Sequence, residues 1–531
     1  MKKSIFILGA ALVISACGPT QTVDTKKTEE AVTTTSAKLD PSPYASTITS
    51  GELKEKLYVY ASDEFEGRET GTPGQKKAVE FLKKHYVELG IPSPLGEDDY
   101  FQEVPLEKSK APTMSFNING TDLESGTHFV SVGSSSSGGF EAGEILNLGY
   151  GIDDPNYSNY EGVDVRDKVV LIRSGEPKND DGTYTITGSN EVSKWSNMRQ
   201  QFRAKRDAAK DRGAKAILLY YPEAYDRLAS RFNSSSGRIS LKGGGDDFFF
   251  LMVNDAVVQA IYRDDGATVN TDVMNERIKC ESVFTLKNNS EPLASENVIA
   301  YIKGSEKPNE YLVISAHLDH EGIKDGKIYN GADDDGSGTV SVMEIAEAFK
   351  AAADNGEGPK RSVVFLHVTA EEKGLLGSRY YTDMDPVFPI DQTVANLNID
   401  MIGRSDPKRE GDRNYVYVIG SDRLSTELHE LSEEVNARYT KITLDMTYNA
   451  PNDPNNFYGR SDHYNFAKNN VPVIFYFNGT HDDYHRPSDT VDKIEFDLLE
   501  NRTKLIFHTA WEIVNRDKRI SLDNPKESGT N

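Results

Sequence analysis

The sequence predicts an α/β protein with a mixed central sheet flanked by helices and a small β-rich insert. Three observations predict it. After about residue 291, short Val-, Ile- and Phe-rich runs alternate with longer stretches of helical period, the pattern of buried strands joined by helices. Between 126 and 290 the texture changes to short strand-like runs separated by Gly-, Ser- and Asn-rich turns. Ahead of the insert, two amphipathic stripes of helical spacing stand on their own. At 531 residues the chain has room for two or three domains and for a core that needs no disulfide.

Lysine and arginine total 60 against 84 aspartates and glutamates, a formal charge of -24. Such a surface excludes nucleic acid as the expected partner, because a phosphate backbone is bound by basic patches. Lys2 and Lys3 lead into an apolar run and then Ser15-Ala16-Cys17, so 1–16 reads as a signal peptide. The small residues before Cys17 resemble a bacterial lipoprotein processing site. The resemblance implies cleavage ahead of Cys17 and a lipid anchor on its sulfur. It implies a place in the bacterial cell envelope, periplasmic or anchored to the outer membrane. Residues 17–48, rich in Thr, Lys, Glu, Ser and Pro, read as a flexible tether. With Cys17 in that segment, no disulfide to Cys280 is expected.

The folded body is expected from 49, its first part covering 49–125. Leu53, Leu57, Tyr60 and Ala61 mark one helix. Glu66-Gly67-Arg68-Glu69-Thr70-Gly71-Thr72-Pro73-Gly74 reads as a turn-rich link. Ala78, Phe81, Leu82, His85, Tyr86 and Leu89 mark a second helix, stopped by Gly90. Within the insert, 126–290, strands are expected at 129–132, 168–172, 216–220 and 248–253. The runs 134–139 and 243–245 read as loops, and the second lacks the Lys-Ser/Thr of a phosphate-binding loop. The second part, 291–516, should hold strands at 297–301, 311–315, 362–368, 394–399, 415–419 and 471–477. Helices are expected at 339–353, 374–381, 422–439, 462–468 and 497–515, and a loose tail at 517–531.

The stretch 315–338 organises this last part. The apolar run Tyr311-Leu312-Val313-Ile314 stops, His317 and Asp319 follow, and then come Asp333, Asp334 and Asp335 ahead of Gly336. Carboxylates packed this densely repel one another unless a cation sits among them. Neutral imidazole with carboxylates suits zinc. Glu371-Glu372, Asp400 and His485 likewise follow predicted strands, and ligands of open α/β sheets bind beyond the carboxyl ends of strands. Three histidines compete for the last position. His463 belongs to a helix start, His481 lies earlier in the loop, and His485, between Tyr484 and Asp489, is preferred. His320 reads as a loop residue, His367 as core, and Asp333 and Asp335 as braces. The set His317, Asp334, Glu372, Asp400 and His485 is too large for one catalytic zinc. With one bridging carboxylate it suits two metals sharing a water. Glu371 is then an unligated carboxylate placed for base work.

Five motifs appear in order: His317-Leu318-Asp319; Gly331-Ala332-Asp333-Asp334-Asp335-Gly336-Ser337-Gly338; Glu371-Glu372-Lys373-Gly374-Leu375-Leu376-Gly377-Ser378; Asn398-Ile399-Asp400-Met401-Ile402-Gly403; and Tyr484-His485 before Asp489-Thr490. Together they resemble the di-zinc aminopeptidase and glutamate carboxypeptidase family of metallopeptidases. The resemblance implies the zinc aminopeptidase fold and two zinc ions, one on His317 and Asp400, the other on Glu372 and His485, with Asp334 bridging. It implies Glu371 as general base and acid, Tyr484 as oxyanion donor with Tyr458 as rival, and Asp319 orienting the His317 ring, with Asp489 behind the ligands. Gly149-Tyr150-Gly151-Ile152, the run Tyr160-Glu161-Gly162-Val163-Asp164-Val165-Arg166-Asp167-Lys168-Val169, and Gly213-Ala214-Lys215-Ala216 resemble a protease-associated domain, a non-catalytic insert. The implied activity is an aminopeptidase acting on peptides. The alternatives are a carboxypeptidase or dipeptidase of the same family, or a non-catalytic receptor-like binding protein. Glutaminyl cyclases share the fold with a single zinc, and the full five-ligand set separates this chain from them. Side-chain preference and oligomeric state are not legible.

Overall fold

The computed structural model describes residues 39–133, 136–198, 200–233, 237–243, 247–271 and 275–524. The signal peptide, Cys17 and most of the tether lie outside the described residues, as do parts of the 134–139 and 243–245 loops and the end of the tail.

One twisted sheet runs through the protein. In the half that follows the insert its order from the edge is Thr443–Asp445, Tyr415–Ile419, Val473–Phe477, Thr393–Ile399, Lys307–His317, Arg361–Val368 and Glu276–Ile302. Thr393–Ile399 and Arg361–Val368 both run parallel to Lys307–His317, and Val473–Phe477 runs parallel to Thr393–Ile399. Parallel strands are covered on both faces, which is why they read as unbroken apolar runs; Arg361–Val368 is buried at every position. The helices Ser50–Tyr60, Pro73–Leu89, Gly338–Asp354, Thr426–Tyr439 and Phe496–Asn515 pack over one face. Shorter helices, Leu376–Arg379 and His463–Ala467, lie on the other. Thr49 caps the first helix by accepting from the Glu52 amide, and Ser425 caps Thr426–Tyr439 in the same way. Gly90 ends Pro73–Leu89 at φ 66°, a conformation that favours glycine.

A long antiparallel ribbon carries the insert. Phe101–Ile118 pairs with Glu276–Ile302 from Phe101↔Val298 to Ile118↔Ser282, with an irregularity between Lys110 and Thr113. The chain leaves and re-enters on neighbouring strands of one sheet, so the insert's strands continue the catalytic sheet. Beyond the ribbon, Gly138–Asn147, Val169–Arg173, Ala216–Tyr220 and Phe249–Val253 lie parallel in that order, with Phe129–Ser131 antiparallel at the edge. Gln201–Asp211 and Tyr225–Asn233 are the crossover helices that parallel neighbours need, and Asp255–Tyr262 is a third helix, leading out of Phe249–Val253. Phe116, Phe140, Phe249 and Phe284 make an aromatic core, with 5.3 Å between the Phe140 and Phe284 rings.

Both ends of the folded body reach further than expected. The compact unit begins at Pro41, not 49. Ser42–Ala45 is helical, Tyr44 and Ile48 are buried, and Tyr44 stacks on Trp511 at 5.7 Å. Two apolar residues in a polar string anchor that segment. At the other end, Ile520 is buried and Arg519 donates to the Asp391 and Thr393 carbonyls, so the described part of the tail is docked.

Candidate metal centre

The predicted site residues converge where the parallel strands end. His317 is the last residue of Lys307–His317, Asp400 directly follows Thr393–Ile399, Glu371 and Glu372 follow Arg361–Val368, and His485 follows Val473–Phe477. Asp334 comes from the loop that opens Gly338–Asp354. His317 Nε2 lies 3.1 Å from Asp334 Oδ1 and 3.8 Å from Asp400 Oδ1. His485 Nε2 lies 3.1 Å from Asp334 Oδ2 and 3.2 Å from Glu372 Oε2. The two oxygens of one carboxylate therefore face two separate groups. Within each of the groups His317, Asp334, Asp400 and His320, Asp334, Glu372, donor atoms lie within 4.8 Å of one another.

The neighbouring aspartates hold the loop. Asp333 accepts from the Gly403 amide at 2.7 Å and faces His481 Nε2 at 3.1 Å. Asp335 accepts from the His317, Gly338 and Met401 amides. Asp489 accepts from the Asp333 and Asp334 amides, so it fixes the backbone that presents Asp334. Arg68, wholly buried, donates to the carbonyls of Leu318, Tyr60, Asn330 and Gly331 and ties both ends of the ligand loop to the amino-terminal link.

Asp319 meets the His317 ring with its main chain. His317 Nδ1 lies 2.9 Å from the Asp319 backbone carbonyl and 3.9 Å from its carboxylate. The carboxylate is taken by better donors, the Thr70 hydroxyl at 2.7 Å and the Glu371 amide at 3.0 Å. Asp319 thus orients the imidazole through its main chain and seats Glu371 through its side chain. His320, expected to be a plain loop residue, is buried with Nδ1 2.9 Å from Glu372 Oε1. Asp462 was also missed. It is buried beside the site, accepts from Ser378, and burial raises its pKa to about 7. Neither has a flanking motif; the only signal is His320 standing three residues after His317.

The rival residues lie elsewhere. His463 is fully buried with its ring on Phe475 at 4.6 Å, and His481 faces Asp333. Tyr458 lies under the Arg423 guanidinium at 4.1 Å. Tyr484 stacks on His485 at 3.9 Å, and Arg460 reaches its hydroxyl at 3.3 Å. Tyr484 lines a narrow slot together with Glu371, Asp334 and Asp400, whose apolar wall is Met401, Phe457, Phe475 and Phe477.

Charge in the site is frustrated. Burial pushes the Glu371 carboxyl well above the usual range, and Glu372 and Asp400 add to the rise against His317. Burial does the same to Asp335. For Glu372, burial and Asp334 work upward, but bonds from His320 and His485 prevail and hold it at about 2. Burial opposes charge on His317, yet Glu371, Asp334 and Asp400 raise it well above the ordinary value. Asp334 Oδ2 and Glu372 Oε1 are buried facing only imidazole nitrogens, and His320 Nε2 is buried without a hydrogen-bond partner among the described residues. Polar atoms left so are costly, and a cation among them satisfies all at once. The oxygen and imidazole donors fit zinc.

The sequence signature of peptidase family M28 matches residues 297–510. Aminopeptidase YwaD of Bacillus subtilis is 26% identical over 232 residues, 42% of this chain and 46% of that protein. Leucine aminopeptidase 2 of Arthroderma otae is 30% identical over 234 residues, 40% of this chain and 44% of that protein. The chain thus spans under half the length of these relatives. Among solved structures, an aminopeptidase from Aneurinibacillus shows 19% identity at a TM-score of 0.47, covering 91% of this chain and 98% of that one. A zinc aminopeptidase from Bacillus subtilis shows 18% identity at a TM-score of 0.45, covering 90% and 99%. The stretch that matches this family, residues 297–510, carries every residue of the cluster.

Proposed function

We propose that the protein is a zinc-dependent exopeptidase, an aminopeptidase that hydrolyses the first peptide bond of peptides and holds two zinc ions. The observation that carries the reading is Asp334 facing His317 with one oxygen and His485 with the other, with Glu371 beside them in the slot. His317 and Asp400 would hold one ion, Glu372 and His485 the other, and Asp334 both. Ions held there would acidify a water and polarise a carbonyl oxygen. The Glu371 carboxylate takes the proton of the attacking water as the carbon–oxygen bond forms, then delivers it to the amine nitrogen as the carbon–nitrogen bond breaks. The Tyr484 hydroxyl donates to the carbonyl oxygen as charge gathers on it. The slot's aromatic wall excludes water from the residue being removed.

The insert is, in this reading, a protease-associated domain, supported by its Gly-Tyr-Gly turn and the parallel strands that follow. Cys17, exposed by cleavage of the 1–16 signal peptide, carries a lipid anchor that places the enzyme in the bacterial envelope, supported by Ser15-Ala16-Cys17 after an apolar run. No helix among the described residues is long and apolar enough to cross a membrane.

The test is hydrolysis of peptides free or blocked at either end, with and without a chelator, by the wild type, Glu371→Gln and His317→Ala. Chelator-sensitive release of the first residue, lost on amino-terminal blocking, supports the reading. Glu371→Gln should keep its zinc and lose most turnover, while His317→Ala should lose zinc and turnover together. Release that needs a free carboxyl terminus would move the protein to the carboxypeptidases. Near-normal turnover by Glu371→Gln would sink the mechanism.

A further inference from the structure

Two cavities meet at the stacked pair Tyr484 and His485. One is the narrow slot with its apolar wall. The other is an open basin of about 820 Å³ on the far side of His485, lined by Lys324, Lys327, Tyr329, Arg486 and the same Tyr484 and His485. An exopeptidase that removes one residue needs a confined space for that residue and an open one for the remainder of the peptide. The slot and the basin have those shapes.

The basin's charge runs against that of the chain. In a protein of net charge -24, three cations border it against one carboxylate, Asp325. Lys324 is engaged by Glu321. Among the described residues, Lys327 and Arg486 have no carboxylate within ion-pair distance, and both are exposed. Acidic residues are abundant elsewhere, and about half of the described lysines and arginines have one within ion-pair distance. Two unpaired cations at the mouth of a catalytic cleft attract an anion on the departing side of the substrate. Arg486 directly follows His485, and the two border the same basin.

We propose that the basin selects peptides whose departing portion carries a carboxylate close to the scissile bond, and that Lys327 and Arg486 are the specificity residues. The inference rests on the exopeptidase reading for which end occupies the slot. The carboxylate has two possible sources, the free carboxyl terminus of a very short peptide or an acidic side chain next to the cleaved bond.

The test is calorimetric binding to zinc-loaded, full-length Glu371→Gln protein, which removes turnover from the measurement. One pair of ligands is leucylglycine and its amide. The other is leucyl-glutamyl amide and leucyl-glutaminyl amide. The anionic member of at least one pair should bind about fivefold to tenfold tighter, the scale of one or two solvent-accessible charge-assisted contacts. A preference in the first pair assigns the free terminus, and one in the second assigns the side chain. The preference should fall below about twofold when Lys327→Ala and Arg486→Ala are added, and shrink in about 1 M salt, where exposed charges are screened. Equal affinity in both pairs overturns the inference, as does binding of none of the four, or a preference that survives both substitutions. Wild-type protein that fails to cleave leucylglycine while the preference stands would overturn the exopeptidase reading alone.

Discussion

His320 Nδ1 lies 2.9 Å from Glu372 Oε1, and both side chains are buried. The imidazole fixes the carboxylate expected to ligate one metal while His485 approaches its other oxygen. Groups behind a ligand typically contribute tenfold to a hundredfold in metal affinity. His320→Ala should therefore weaken zinc binding by about that factor, and His485→Ala by more, measured by competition with a chromogenic chelator. Unchanged affinity in His320→Ala would mean that Glu372 is positioned without it.

Arg68 gives a stability prediction. Its guanidinium donates to four carbonyls, two of them at Asn330 and Gly331, just ahead of the ligand-bearing aspartates. Arg68→Met keeps the bulk and leaves those acceptors buried and unpaired. The cost should be about 3 kcal/mol or more in denaturant unfolding of the metal-free protein. A loss under about 1 kcal/mol would show that water replaces the guanidinium.

Acid sensitivity should come in part from histidines outside the metal centre. Burial lowers the His367 pKa to about 3, and its Nε2 lies 2.7 Å from the Tyr86 hydroxyl. In the unfolded chain the same ring titrates near 6.5. Below pH 6.5 the unfolded state binds the extra proton, so stability is full above that value and falls as the pH drops toward 3. The stability difference between wild type and His367→Gln, both in chelator, should narrow by about 1.4 kcal/mol per pH unit below 6.5. A difference independent of pH would refute the assignment.

The insert touches the loop that carries Glu371 at Leu241. Leu241, on the short strand Ile239–Leu241, is buried in a cluster with Val104, Leu106, Ala370 and Leu376. Ala370 immediately precedes Glu371. Leu241→Ala should loosen that cluster and accelerate amide hydrogen exchange across 370–376, with little change in the core strands. Exchange equal to wild type in that segment would show that the loop is held from its own side alone.

The parts of the fold carried by period and burial were legible in the sequence. The runs at 362–368 and 394–399 are mostly apolar and buried throughout because both faces are covered, and the structure places strands there within a residue. His317, Glu372, Asp400 and His485 could be grouped because each follows a strand, and Asp334 because it is the middle of the acidic triplet that opens the next helix. What period cannot show is a polar residue folded inward by distant contacts. Arg68 reads as part of a Gly- and Thr-rich turn, and its partners lie some two hundred and fifty residues away. His320 looks like loop until Glu372 is brought beside it. Asp319 reads as the partner of the His317 ring, but a motif records which residue is present and not which of its oxygens is engaged. Asp255–Tyr262 has the composition of a strand, and only the Asn254 cap marks it as a helix.

The ribbon that joins the two halves also orders their folding. Phe101–Ile118 is synthesised long before its partner Glu276–Ile302, and everything between them belongs to the insert. Until that partner arrives, the early strand is an open edge with its amides unpaired. Closing so long a loop by chance is slow, but an insert that has already packed around Phe116, Phe140 and Phe284 brings the two strands together at its own end. Pairing can then zip from Ile118↔Ser282 toward Phe101↔Val298 and deliver the next strands to the catalytic sheet in register. Whatever it does for the substrate, the insert thus acts as the template on which the catalytic half of the molecule closes.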